Sequence, residues 1–119
     1  MLNSPLEKLK KRSEFLAVAK TGLKWVTPAF IIQVYRRPSE ESIRYGITAS
    51  RKVGNAVKRN RAKRRLRALV RQTFRFKNQP GTDYVLIARD EVLRRNFALM
   101  AQELDVALKR LENITSLSL

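Results

Sequence analysis

The chain has no cysteine and no histidine. The first absence excludes disulfides and thiolate metal sites. The second removes the commonest general acid/base and the commonest nitrogen ligand for zinc. No apolar run approaches the roughly 18 residues that a membrane-spanning helix needs. The N-terminal segment is charged without the apolar stretch of a secretory signal, and Glu7 and Glu14 interrupt any acid-poor presequence. The expected compartment is therefore the cytoplasm. The most informative absence is local, since no Asp or Glu occurs between Glu41 and Asp83. The ten acids of the chain are scattered, and no D-x-D or similar cluster adjoins the basic stretch. A nuclease with its own carboxylate-held metal is not expected from such a set.

Positive charge fills the gap. Of 26 Lys and Arg residues, 13 fall between Arg44 and Lys77, and the net charge is +16. A run without acids has no partners of its own, so it calls for an external polyanion or must tolerate its repulsion. Nucleic acid is the default polyanion for a soluble protein. With 44% hydrophobic residues the chain is no disordered basic tail. Its 119 residues fit one domain, 1–119, with a core over about 9–111.

The elements follow from pattern. Residues 1–11 read as a lead-in. Ser13 is positioned to cap a helix that runs to about Lys20 and stops at Gly22. On the residues alone, Phe15 reads as core, with a ligand-facing position as the alternative. Trp25 to Tyr35 is rich in β-branched and aromatic residues and predicts strand, split by Pro28. Phe30, Ile32 and Val34 share one face, and Ile31, Gln33 and Tyr35 the other. Residues 36–42 read as a turn. Ile43 to Ala49 alternates again and predicts a strand paired antiparallel with the previous one. Asn55 caps a long helix over about 56–75. Pro80-Gly81 is a turn, and Asp83 to Ala88 is apolar enough for a central strand. Asp90 to Arg95 is a connection of undefined shape. A last helix carries Phe97, Met100, Ala101, Leu104, Leu108 and Leu111 at helical spacing, with a frayed tail from Asn113.

The long helix separates its charges into rows at about 100° per residue. Ala62, Leu66, Leu69, Val70 and Thr73 form the stripe that faces the sheet. Arg61, Arg64, Arg71 and Arg75 lie opposite, as an RNA-facing row or a solvated face. Arg59, Lys63 and Arg67 flank the stripe at i, i+4, i+8. A charge there cannot be buried alone, so the row must overlook an open groove. The other arrangement is that the three stems run along the core edge into water. A groove with basic walls, a polar sheet face (Gln33, Thr48, Ser50) and a nearby aromatic suits single-stranded nucleic acid. Phe15 is the first candidate aromatic, with Trp25 or Tyr35 beside it.

The run GITASRKVGNAVKRNRAKRRLR, residues 46–67, closely resembles the signature of the protein subunit of bacterial ribonuclease P. Gly46, Ser50, Arg51, Lys52, Gly54, Ala56, Val57, Arg59, Asn60, Arg61, Lys63, Arg64 and Arg67 carry the match. Phe15 before Gly22, and Asp83-Tyr84-Val85 leading to Ala88-Arg89, stand in the expected order. The resemblance implies an α+β fold, a two-layer α/β sandwich of order αβββαβα. Its mixed four-stranded sheet would contain a left-handed βαβ crossover. It implies binding of the catalytic RNA through Arg51, Lys52, Asn55, Lys58, Arg61, Arg64, Arg65 and Arg71. It implies a cleft for the 5′ leader of precursor tRNA lined by Phe15, Gln33, Thr48, Ser50, Arg59, Asn60, Lys63 and Arg67. The RNA would carry the chemistry, a magnesium-dependent hydrolysis that frees the mature tRNA 5′ end. No catalytic or metal-binding residue is then expected in the protein, which would join the RNA one to one. Three residues depart from the pattern: Ala19 where a second Phe is common, Gln33 where some relatives have an aromatic, and Ala68 in place of Glu or Gln. The first two thin the aromatic lining of the cleft.

The alternative is a structural RNA-binding protein of ribosomal type, which shares the charge but has no need of the Gly54-to-Arg67 signature. A DNA-binding regulator fits less well, because a strand rather than a helix and short turn precedes the basic helix.

Overall fold

The computed structural model of the chain describes residues 6–37, 42–73 and 80–117, with side chains through residue 113. Five strands form one sheet: β1 (Leu6–Lys8), β2 (Lys24–Val26), β3 (Phe30–Arg36), β4 (Ile43–Thr48) and β5 (Thr82–Ala88). Three helices join them: α1 (Arg12–Lys20), α2 (Ala56–Gln72) and α3 (Phe97–Leu117). A 3-10 turn, Asp90–Leu93, occupies the connection before α3. The strand order is β1-β4-β5-β3-β2.

β5 is central because it is the most apolar strand, and six of its seven residues are buried. It runs parallel to β4 and antiparallel to β3. The expected antiparallel pairing of the strands at 30–35 and 43–49 therefore does not form. β5 stands between them, and α2 carries the chain from β4 to its parallel neighbour. Alternation assigns the faces of a strand but not its neighbours. The sheet also has five strands rather than four. Leu6–Lys8, inside the expected lead-in, pairs parallel with Ile43–Tyr45. Three residues are too few to show a period, and backbone pairing places them.

One sheet face carries the main core. Phe30, Ile32, Val34, Ile43, Tyr45, Tyr84 and Leu86 meet Ala62, Leu66, Leu69 and Val70 of α2, together with Met100, Leu104, Leu108 and Leu111 of α3. The predicted stripe of α2 is thus the buried one, with Thr73 half-buried at its end. α1 lies across the other face, where Val18, Leu9 and Val85 form a smaller core with Phe15, Tyr35 and Ile87. Trp25 belongs to the main core, and the Arg110 guanidinium lies 5.8 Å from its ring centroid. It is not among the groove aromatics.

Helix ends show how local chemistry sets the elements. Asn55 Oδ1 accepts from the Lys58 backbone N–H at 3.0 Å, the expected cap of α2. For α1 the capping position is Lys11 rather than Ser13. Glu14 does the capping instead, because Oε1 accepts from the Lys10 and Lys11 N–H groups at 2.8 and 2.9 Å. Gly22, at φ 71°, turns the chain out of α1 in a conformation that side chains disfavour. α2 ends at Gln72, and the predicted extension to Arg75 falls outside the described residues, as do residues 38–41 of the predicted turn. α3 continues to Leu117, through most of the segment expected to fray.

Candidate nucleic-acid interface

Cross-strand partners share a face, so strand register fixes the surface on the α1 side. Gly46, Val85, Gln33 and Lys24 form one row across β4, β5, β3 and β2. Thr48, Ile87, Ile31 and Val26 form the next. α1 covers only part of this surface.

Two cavities open along it. The first, of about 200 Å³, lies where β1 stops and the edge of β4 is left open. Phe15, Leu9 and Gly46 line it from the α1 side, and Lys63 and Arg67 reach it from α2. The Phe15 ring sits against the Gly46 α-carbon, since a Cβ built there would stand 2.5 Å from Phe15 Cζ. Only glycine leaves the ring that seat. The second cavity, of about 530 Å³, lies at the C-terminal ends of β4 and β5. Ile31 and Ile87 contribute apolar surface, with Ser50, Lys52 and Arg89 around them.

The predicted cleft residues distribute over this surface. Phe15, Lys63 and Arg67 meet in the first cavity, and Ser50 lines the second. Thr48 stands between, in register with Ile87, and Gln33 lies across β5 in register with Val85. Asn60 is exposed on α2. Arg59 is half-buried, and its Nη1 donates to the Gly54 carbonyl at 2.9 Å, which ties it to the loop before its own helix. The sequence reading missed Leu9, Ile31, Ile87 and Arg89. Ile87 sits in an unbroken apolar run that hides which residues face out, and only register separates them.

Most of the outer set is solvent-exposed, with Asn55 Oδ1 engaged as the cap of α2. Arg51, Lys52, Asn55, Lys58, Arg61, Arg64 and Arg71 are exposed. Lys52 also lines the second cavity, so it faces the cleft as well. Arg65 departs from the expectation. It is half-buried, and its guanidinium donates to the Leu93 carbonyl at 3.3 Å and the Arg95 carbonyl at 2.6 Å. It braces the turn before α3 instead of facing outward, because a turn leaves carbonyls unpaired that an arginine fork can satisfy.

The absence of nearby acids does not leave the whole basic run without internal partners. Arg44 holds Asp83 through Nε at 2.8 Å and Nη2 at 2.7 Å, and Glu14 through Nη1 at 2.6 Å. These partners lie 39 and 30 residues away, so spacing along the chain conceals them. Asp83 is the first cause that holds the Arg44 guanidinium above its ordinary range. The Lys11 and Lys10 amides, aided by Arg44, hold the Glu14 carboxyl below its usual range. Burial pushes the Tyr84 phenol up. Among the described residues, no three acids gather closely enough to hold a metal ion, and no helix is long and apolar enough to cross a membrane.

A small basic α+β domain with an aromatic and two cations around an open strand edge has the form of a binder of single-stranded nucleic acid. The comparisons with known proteins narrow that class. The family described as Ribonuclease P matches residues 4–112. The ribonuclease P protein component of Paramagnetospirillum magneticum is 47% identical over 109 residues, which cover 88% of this chain and 82% of the relative. That of Gluconacetobacter diazotrophicus is 44% identical over 103 residues, covering 87% and 89%. The solved structure of the ribonuclease P protein from Thermotoga maritima superposes with a TM-score of 0.70 at 31% identity, covering 87% of this chain and 96% of that one. The chain belongs to the ribonuclease P protein family.

Proposed function

We propose that the chain is the RNA-binding subunit of a ribonuclease P holoenzyme and holds the 5′ leader of precursor tRNA in the cleft beside the β4 edge. The observation that carries this reading is the meeting of Phe15, Lys63 and Arg67 in one cavity beside the β4 edge. An unpaired nucleotide offers a base to stack on the ring and a phosphate to the cations, which suits that lining. The exposed row of α2, with Arg61, Arg64 and Arg71, meets the phosphates of the catalytic RNA. On this reading magnesium is held by the catalytic RNA. The RNA then carries the hydrolysis, and the protein contributes position and charge neutralisation.

The test is reconstitution. The purified chain, added to a bacterial ribonuclease P RNA at low magnesium, is expected to stimulate 5′ cleavage of precursor tRNA. The assembled enzyme is expected to bind precursor more tightly than mature tRNA. RNA binding without stimulation and without leader dependence would favour a structural RNA-binding protein.

A further inference from the structure

We propose that Glu14 is a positioning residue: clamped by Arg44, it sets the height of α1 above the sheet and so seats Phe15 in the cleft. The proposal rests on the leader-cleft reading given above.

The geometry runs as a chain of contacts from the centre of the sheet outward. Asp83 on β5 is 1% exposed, and both of its oxygens are held by the fork of Arg44. That pairing fixes the plane of the guanidinium and leaves Nη1 directed at Glu14 Oε2, 2.6 Å away. The other Glu14 oxygen is taken by the Lys10 and Lys11 amides at the start of α1. Arg44 and Gly46 are alternate residues of β4 and share a face. Glu14 and Phe15 are adjacent on α1. One therefore stands on Arg44 while the other stands on Gly46, a two-point seat for the helix.

Apolar packing alone holds α1 weakly. The helix has nine residues and buries only Val18 completely. A helix that short is marginal without tertiary support. α1 is also tied to the sheet at its two ends, where the Leu9 N–H donates to the Tyr45 carbonyl and Thr21 Oγ1 donates to the Val34 carbonyl, each at 2.8 Å. Between those ties the Glu14–Arg44 clamp is the polar contact next to Phe15, and it adjusts how far the ring stands from Lys63 and Arg67.

Glu14→Gln tests this cleanly. The amide oxygen still accepts from Lys10 and Lys11, so the helix start survives. The buried pair of Arg44 and Asp83 is untouched, and only the anion facing Arg44 is lost. Two readouts are taken. In the free protein, the Gly46 α-protons carry a ring-current shift from Phe15, which is expected to shrink in Glu14→Gln. In the assembled enzyme, the ratio of precursor to mature tRNA affinity is expected to fall about two- to tenfold, with mature tRNA affinity retained. Phe15→Leu serves as the control for the cleft. If Phe15→Leu lowers the ratio but Glu14→Gln changes neither the ratio nor the ring-current shift, the clamp is overturned and the cleft reading stands. If Phe15→Leu leaves the ratio unchanged, the cleft reading falls and takes the leader-dependent half of the proposal with it. The ring-current shift still decides the seating in that case: an unchanged shift overturns it.

Discussion

The Phe15 ring rests on the α-carbon of Gly46, so close that a Cβ on residue 46 would overlap it. Gly46→Ala is therefore expected to displace the ring rather than the strand, because the overlapping atoms are the far end of a half-buried side chain. The stability loss should be about 1 kcal/mol, at the low end for overpacking. The functional loss should be larger in proportion, with precursor tRNA affinity falling in the assembled enzyme while mature tRNA affinity holds. Denaturant melts and the two affinities measure this, and an unaltered precursor affinity would contradict the role given to the ring.

Arg65 offers a contrast to its exposed neighbours. Its two donated bonds to Leu93 and Arg95 brace the turn before α3. Arg65→Ala should cost roughly 1.5–3 kcal/mol of stability, the range for hydrogen bonds from a charged group. Affinity for the catalytic RNA should change little once the protein is folded. Arg64→Ala, one residue earlier and exposed, should show the reverse.

These two residues also mark what can be read from sequence. The 3.6-residue period placed the buried stripe of α2, and alternation placed the faces of β3 and β4. Both are local regularities, and packing obeyed them. Arg65 sits between the two faces, where period alone does not choose between solvent and a turn that arrives 28 residues later. Arg44 lies in an acid-free window, yet it finds Glu14 and Asp83 because tertiary pairing ignores chain distance. The neighbours of β5 were hidden for the same reason. The groove row was legible in Lys63 and Arg67, whereas the floor of the second cavity, Ile31 and Ile87, needed the register of three strands.

Asp83 is the buried carboxylate of β5 that faces two arginines. Its carboxylate is held by Arg44, and Arg37 Nε stands 3.0 Å from Oδ1. Asp83→Asn removes the charge and leaves two arginines beside the core without it. The expected loss is about 3–5 kcal/mol, as for a buried pair broken on one side. Chemical denaturation of the free protein measures it, and a loss below about 1 kcal/mol would show that the site is well hydrated.

Glu14 links the same cluster to pH. Its folded carboxyl titrates below the ordinary value near 4.5, chiefly through the Lys11 and Lys10 amides and then Arg44. A depressed carboxyl stabilises the fold above its unfolded value, and that contribution disappears as pH falls through the lower folded one. The wild type should therefore lose more stability than Glu14→Gln between about pH 6 and pH 3. Parallel acid titrations, followed by circular dichroism, make the comparison. Equal slopes would mean that Glu14 gains nothing from its partners.

The last prediction separates the two basic rows of α2. Lys63 and Arg67 line the cavity with Phe15, whereas Arg61 and Arg64 are exposed on the helix. One helix can then address two RNA surfaces. On the proposed function, a single strand would lie along the sheet and the phosphates of a folded RNA would meet the outer row. Lys63→Ala with Arg67→Ala should weaken leader-bearing precursor more than mature tRNA. Arg61→Ala with Arg64→Ala should weaken assembly with the catalytic RNA and show little leader dependence. Each lost phosphate contact should cost on the order of 1–2 kcal/mol, the scale of a charge-assisted hydrogen bond. Salt provides an internal check, because both effects shrink as counterions compete for the phosphates. The measurement is the ratio of precursor to mature tRNA affinity in each double mutant, made in the assembled enzyme at fixed ionic strength. If the two mutants give equal ratios, the division of α2 into a cleft row and an outer row has no functional meaning.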